Sequence, residues 1–156
     1  MTPQDRYDSL FRFYGEQSGV DWRRLKAQAM AESGLDPNAR SKVGAAGLAQ
    51  FMAATREEWR DGVAGNQGSP PADLVLLDPR DPEDAIRAQA AYMGWLLIRF
   101  PDNPRQALAA YNWGLGRVTR AVNQWGVDYL AHTPAETQAY VARIERTLSE
   151  IAGESA

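Results

Sequence analysis

The sequence contains no cysteine, a single histidine and no long uninterrupted apolar run. Without cysteine, disulfides and thiolate-bound metals are excluded, and one histidine does not supply the ligand set of a transition-metal site. The longest apolar region, 88–100, is interrupted by Gln89, Gly94 and Arg99. It therefore falls short of the roughly 18 apolar residues that span a bilayer. We expect no metal, no cofactor and no membrane insertion.

Strong charge of either sign is also missing. The 17 basic and 20 acidic residues give a formal net charge of −3, so no broad basic face is available for a nucleic-acid backbone. The 156 residues, 44% of them hydrophobic, are enough for one domain with a real core. We expect a single monomeric domain over 1–156, with motifs covering about 20–150. No charged segment followed by an apolar run opens the chain, so no secretory signal is predicted.

Helical spacing dominates the chain, and no stretch alternates with the period of two that is typical of strands. Prolines, glycines and capping residues divide the pattern into segments. A break is predicted over 15–19, and a surface loop over 62–71. The predicted helices are 4–14, 21–33, 55–60, 81–100, 103–111, 117–125 and 133–151, the last opened by a Thr133–Glu136 capping box, with a loop over 36–51 that ends in a short helical turn.

Glu32 is the first candidate for chemistry. On the second predicted helix, Trp22, Leu25 and Ala29 share one apolar face, and Glu32 falls at the edge of that face near the end of the helix. A carboxyl in that position loses part of its water, which raises its pKa and keeps it protonated as a usable general acid. The alternative is an ordinary surface glutamate, which helix spacing alone does not exclude.

Four sequence blocks surround this candidate. They read ESGLDPNARS at 32–41, GAAGLAQFM at 44–52, ALAAYNWGLGRV at 107–118 and ETQAYV at 136–141. In this order and at these separations they resemble the family 1 lytic transglycosylases, whose catalytic domain has the goose-type lysozyme fold. The resemblance runs from about Trp22 to Ile144. It implies a mainly α domain of the α+β lysozyme-like superfold with a substrate cleft.

The resemblance also implies roles for individual residues. Glu32 occupies the position of the catalytic acid/base, Ser41 that of a hydroxyl that contacts the N-acetyl group, and Tyr140 that of a tyrosine hydrogen-bonded to the carboxyl. Ala49 replaces a usual methionine and Trp113 a usual small residue, so we expect a reshaped groove with Trp113 stacking on a sugar. The implied substrate-binding residues are Ser41, Gln50, Met52, Tyr111, Asn112, Trp113 and Tyr140.

Glycosidases usually need two carboxyls, and the motif blocks offer Glu32 with Asp36 as the one nearby acid. One carboxyl is enough if the 6-hydroxyl of N-acetylmuramic acid (MurNAc) in peptidoglycan attacks its own C1, giving a 1,6-anhydro product. Two alternatives stay open. A goose-type lysozyme would use water, held by Asp36, and a catalytically silent module would only bind glycan. The missing signal favours a phage endolysin, made in the cytoplasm and acting on periplasmic peptidoglycan.

Overall fold

Six α-helices and one 3-10 helix form the regular structure of residues 2–51 and 78–154, the part of the chain that this computed structural model describes. The predicted helix 55–60, the predicted loop 62–71 and Met52 lie outside these residues. The elements are α1 (Asp8–Ser18), α2 (Trp22–Ser33), α3 (Pro82–Arg99), α4 (Pro104–Trp113), α5 (Leu115–Trp125), the 3-10 helix (Gly126–His132) and α6 (Ala135–Glu154).

Side-chain caps start three of these helices where the sequence predicts them. Asp21, Asp81 and Asn103 each accept a backbone N–H from the first turn of α2, α3 and α4, at 3.0 to 3.1 Å. Such caps satisfy donors that a helix N-terminus leaves without partners. The predicted capping box before α6 is wrong in its detail. The Thr133 hydroxyl instead donates to the Leu130 carbonyl at 2.7 Å and closes the 3-10 helix.

The first helix is displaced from its predicted position. It begins four residues later than expected and continues through Gly15 to Ser18, where Gly19 ends it with a φ of 69°. Gly15 is therefore not a break. A Cβ at Gly15 would lie 2.7 Å from the Val20 carbonyl oxygen, so this glycine allows the returning chain to pack closely on α1.

The loop over 36–51 contains hydrogen-bonded turns and two isolated antiparallel bridges, Arg40–Ala46 and Ala46–Phe51, where a short helical turn was predicted. Gly47 explains the difference. Its φ is 84°, outside the helical range, and a Cβ there would overlap the Pro79 carbonyl oxygen at 1.8 Å. These bridges are the whole of the extended pairing in the described ranges, so the prediction of a mainly α fold is confirmed.

Helix packing brings α4 and α6 together beside one end of α2. Helix α1 packs on α2 and α3, α4 packs on α3, α5 and α6, and α2 packs on α6. Leu25, Met93, Leu108 and Ile144 are among the fully buried side chains that join these helices. The C-terminal end of α2 consequently lies beside residues of both α4 and α6.

Gly94 in α3 provides a test of this packing. A glycine-to-alanine change inside a helix ordinarily stabilises by about 1 kcal/mol. A Cβ at Gly94 would, however, lie 2.6 Å from the Ser18 carbonyl oxygen of α1. Overpacking of this kind costs about 1–3 kcal/mol. We expect Gly94→Ala to lower the free energy of unfolding by about 1–2 kcal/mol in urea denaturation.

Gly153→Ala is the matched control, because no atom lies within 4 Å of its Cβ position in α6. We expect no destabilisation from that change. A Gly94→Ala variant as stable as wild type would contradict the close approach of α1 and α3.

Candidate active site

A cleft of about 340 Å³ opens where α2, the 36–51 loop, α4 and α6 meet. It brings together six of the residues that the sequence predicted for the site. Glu32 lies in it with the predicted Ser41, Gln50, Tyr111, Asn112 and Tyr140. The full lining is Ala31, Glu32, Ser41, Val43, Ala45, Gln50, Tyr111, Asn112, Glu136, Tyr140 and Arg143.

Glu32 lies one residue before the end of α2, which Gly34 terminates in the left-handed conformation. Its side chain is partly buried. The pKa of Glu32 is raised to about 7. Loss of solvent is the largest cause and the negative charge of Glu136 adds to it, while a hydrogen bond from Tyr140 and the charge of Arg143 act to lower the pKa. Near neutral pH a large fraction of this carboxyl is therefore protonated and able to donate a proton.

Tyr140 supplies the hydrogen bond that favours the charged form of Glu32. Its side chain is 5% exposed, and its hydroxyl oxygen accepts a hydrogen bond from the Gln28 amide at 3.0 Å. Burial and the adjacent Glu32 charge raise the pKa of Tyr140 well above its usual value. The phenol therefore keeps its proton and acts as a donor to the carboxylate.

Two side-chain hydroxyls hold the 36–51 loop against the helices. The Ser33 hydroxyl, next to Glu32, contacts the carbonyl oxygens of Leu48 at 2.8 Å and Ala29 at 3.1 Å. The Tyr111 hydroxyl of α4 donates to the Ala49 carbonyl at 3.0 Å. The loop is thus fixed from both sides of the cleft. Sequence analysis assigned no role to Ser33 and missed this positioning contact.

Ser41 and Gln50 are held by the backbone of the same loop. The Ser41 hydroxyl oxygen accepts the Ala45 N–H at 3.0 Å. The Gln50 amide nitrogen donates to the carbonyls of Ala39 at 3.1 Å and Gly47 at 2.8 Å. These bonds do not involve the hydroxyl hydrogen of Ser41 or the side-chain oxygen of Gln50. The cleft therefore presents a donor and an acceptor that the loop holds in place.

The remaining predicted residues differ in position. Asn112 joins α4 to α6 by accepting a hydrogen bond from the Thr137 hydroxyl at 2.8 Å. Trp113 packs against the hydrophobic core and is not part of the cleft lining found in the described residues, so this geometry does not support the predicted stacking on a sugar. Met52 lies outside the described residues.

Glu136 and Arg143 are cleft residues to which sequence reasoning gave no role. With Tyr140 they follow the spacing i, i+4 and i+7, which places all three on one face of α6, and that spacing was the available signal. Asp36, the predicted nearby acid, does not line the cleft. Its carboxylate accepts the Asn38 N–H at 2.9 Å in an exposed turn. The second carboxyl at this site is Glu136.

In residues 2–51 and 78–154, no group of three or more histidine, aspartate and glutamate side chains is placed to hold a metal ion. His132, the single histidine of the chain, stacks on Trp125 with ring centroids 3.6 Å apart. The cleft lining itself carries carboxyl, hydroxyl, amide and guanidinium groups.

Residues 9–128 match the transglycosylase SLT domain family. The chain belongs to this family. Among curated proteins, the SLT domain described here is 34% identical over 122 residues to the membrane-bound lytic murein transglycosylase F of Shewanella pealeana, covering 74% of this chain. It is 33% identical over 126 residues to the protein of that name from Pasteurella multocida, covering 77%. The chain spans 22% of each relative's length.

Solved structures agree with this family. The 70-kDa soluble lytic transglycosylase of Escherichia coli superposes with a TM-score of 0.74 at 28% identity, over 92% of this chain and 24% of that one. A complex of the 70-kDa soluble enzyme with bulgecin A gives 0.79 at 27%, over 97% and 25%. The predicted fold is thereby confirmed. No helix within the described ranges of this chain is both long and apolar enough to cross a membrane.

The charges on α6 give opposite predictions for Glu32. Removing the negative charge with Glu136→Gln should lower the pKa of Glu32, and removing the positive charge with Arg143→Gln should raise it. Both side chains are exposed, so solvent screening limits each shift to a few tenths of a pH unit. Carbon-13 NMR titration of the Glu32 carboxyl measures these shifts directly, and its signal is assigned by its loss in Glu32→Gln.

Glu150→Gln, an exposed change on α6 outside the cleft lining, is the control for the loss of a surface charge. Shifts of the same sign in Glu136→Gln and Arg143→Gln would contradict the described electrostatics.

Proposed function

We propose that this SLT domain is a lytic transglycosylase that cleaves the β-1,4 linkage between MurNAc and N-acetylglucosamine in peptidoglycan strands. One observation carries the proposal. Glu32 is a partly buried carboxyl with its pKa raised to about 7, and it lies in a cleft lined by polar groups suited to sugars. A binding module has no need of a desolvated acid, whereas general acid catalysis depends on one.

In the first step, Glu32 donates its proton to the glycosidic oxygen as the bond from MurNAc C1 to that oxygen breaks. The positive charge that develops at C1 is stabilised by the 2-acetamido carbonyl of the same sugar. Ser41, whose hydroxyl hydrogen is not used in the loop, orients the acetamido group. The Tyr140 hydroxyl stabilises the Glu32 carboxylate that results.

In the second step, the Glu32 carboxylate takes the proton of the MurNAc 6-hydroxyl, and the 6-oxygen bonds to C1. The products are a free 4-hydroxyl on N-acetylglucosamine and a 1,6-anhydro-MurNAc end. No water is consumed, and Glu32 returns to its protonated form. A pKa near 7 suits both steps, since the group must give a proton and then take one back.

The names of similar proteins support this reading. The curated relatives are lytic murein transglycosylases, and a third similar structure is an inactive glutamate-to-glutamine mutant of the lytic transglycosylase Slt from Pseudomonas aeruginosa, with a TM-score of 0.75 at 26% identity over 97% of this chain and 24% of that one. We further propose that residues 1–156 act as one monomeric catalytic domain. The phage endolysin setting stays a prediction.

Glu136 supports a second candidate, a lysozyme-type hydrolase. It is a second carboxyl lining the described cleft, and an inverting hydrolase uses a second carboxylate to activate water. We prefer the transglycosylase because the family and its named relatives support it, and because Glu32 alone balances both proton transfers.

Digestion of purified peptidoglycan distinguishes the two reactions. We expect the muropeptides from wild-type protein to carry 1,6-anhydro-MurNAc ends, one water lighter than hydrolysed products by mass spectrometry. Glu32→Gln keeps the shape of the side chain but removes its proton chemistry, so we expect the rate to fall by about 10²–10⁴.

The control for this variant is circular dichroism, which must show a folded Glu32→Gln protein. Reducing MurNAc ends as the main product, lost in Glu136→Gln, would establish the hydrolase instead. Residual activity above a few per cent in folded Glu32→Gln would remove Glu32 from its role.

A further inference from the structure

Two glutamines lie fully buried behind the cleft, Gln28 on α2 and Gln89 on α3. Burying an amide is costly unless its polar atoms are hydrogen-bonded. The Gln89 amide nitrogen donates to the Leu25 carbonyl at 3.0 Å and to the Gln28 side-chain oxygen at 2.8 Å. The Gln28 nitrogen then lies 3.0 Å from the Tyr140 hydroxyl oxygen. A continuous chain of polar contacts therefore runs from the backbone of α2 to the tyrosine that contacts Glu32.

The direction of this chain is determined at its start. The Leu25 carbonyl is a backbone oxygen and can only accept, so the amide nitrogen of Gln89 must face it. The second hydrogen on that nitrogen goes to the Gln28 oxygen, which turns the Gln28 nitrogen toward Tyr140. Tyr140 accepts there, and its single hydroxyl hydrogen is left to donate to Glu32.

We infer that Gln28 and Gln89 are positioning residues that direct the Tyr140 hydroxyl hydrogen onto the Glu32 carboxylate. The inference rests on the proposed role of Glu32. Neither glutamine is among the described residues that line the cleft. Each acts through the next group, and together they determine which way the last hydrogen bond of the chain points.

A simple cross-link between α2 and α3 is the competing explanation. The buried side-chain oxygen of Gln89 speaks against it, because that oxygen has no hydrogen-bond partner among residues 2–51 and 78–154. Leaving a buried acceptor unpaired costs about 1–3 kcal/mol. A residue selected only to join two helices gains nothing from that arrangement. The unpaired oxygen is explained, however, if both amide hydrogens of Gln89 are needed to orient Gln28.

Other groups also set the proton affinity of Glu32. Among the described residues, Tyr111 faces it from α4, and Glu136, Tyr140 and Arg143 face it from α6. The hydrogen-bond donors of Gln89 go to Leu25 and Gln28 instead. Any effect of Gln89 on Glu32 must therefore pass through Gln28 and Tyr140.

Methionine is the informative replacement because its side chain is similar to glutamine in length and volume but has no N–H donor. In Gln28→Met, Tyr140 loses the donor that fixes its hydroxyl. In Gln89→Met, the Gln28 amide is free to turn its oxygen toward Tyr140 and draw the hydroxyl hydrogen away from Glu32. Both variants should raise the carbon-13 titration midpoint of Glu32 by about half a unit to one unit, which corresponds to one weakened hydrogen bond.

Kinetics on soluble peptidoglycan fragments provide a second readout. We expect kcat to fall by about threefold to tenfold with KM changed by less than about twofold, because the acid is misdirected while the sugar contacts remain. The alkaline limb of the pH profile of kcat/KM, where free Glu32 loses its proton, should move upward with the titration midpoint.

Two controls separate positioning from loosened packing. Ile86→Val removes one buried methylene from α3, outside the hydrogen-bonded chain, and should leave the midpoint unchanged. In a Tyr140→Phe background, Gln28→Met and Gln89→Met should produce no further shift, because the group through which they act is gone. Equal shifts with and without the Tyr140 hydroxyl, or unshifted midpoints in both folded methionine variants, would overturn the inference.

The titration needs no substrate, so the two proposals fail in different ways. An inactive wild-type protein whose variants still shift the Glu32 midpoint would contradict the proposed function and support the role of the hydrogen-bonded chain. An active wild-type protein whose variants leave that midpoint unchanged would support the proposed function and contradict the role of the hydrogen-bonded chain.

Discussion

One carboxyl at the end of α2 is shielded from water, and the other elements of the cleft are arranged around it. Burial and the charge of Glu136 favour the neutral form of Glu32, and the phenol of Tyr140 and the charge of Arg143 favour the charged form. The balance leaves the pKa of Glu32 about 7, where a group both gives and takes protons readily. The packing of α6 on α2 supplies both effects, since it covers the carboxyl and carries the phenol.

Hydrogen bonds and close packing hold the 36–51 loop, which forms another wall of the cleft, in one position. Ser33 and Tyr111 hold the 36–51 loop to α2 and α4 through its carbonyl groups. Gly47 allows the loop to pass close to Pro79, where any side chain would collide. Ser41 and Gln50 are thereby presented at fixed positions opposite Glu32. In the proposed reaction, preorganised polar groups of this kind would stabilise the charge that develops in the transition state.

Sequence reasoning worked well where a local rule decides the structure. The caps at Asp21, Asp81 and Asn103 depend on residues two or three positions away, and all three helices begin as predicted. The failure at Gly15 has a different cause. Its role depends on the approach of Val20 after the chain turns back, which propensity does not encode.

The site residues also divide into those that the sequence identifies and those whose role depends on packing. Motif resemblance identified the cleft residues Glu32, Ser41 and Tyr140 but gave no role to Glu136, whose direction depends on how α6 rotates against α2. The buried Gln28 and Gln89 were also missed. An amide in a helical pattern usually indicates a solvated face, and only the three-dimensional packing reveals that these two contact each other.

The most direct measurement compares two pH dependences in the wild-type protein. One is the carbon-13 titration of the Glu32 carboxyl, and the other is the pH dependence of kcat/KM on soluble peptidoglycan fragments, which reports the free enzyme. If Glu32 is the general acid, the carboxyl titrates near pH 7 and kcat/KM falls with the same midpoint as that proton is lost. A carboxyl that titrates near the usual value of 4.5, or a loss of kcat/KM that does not follow its titration, would contradict the account.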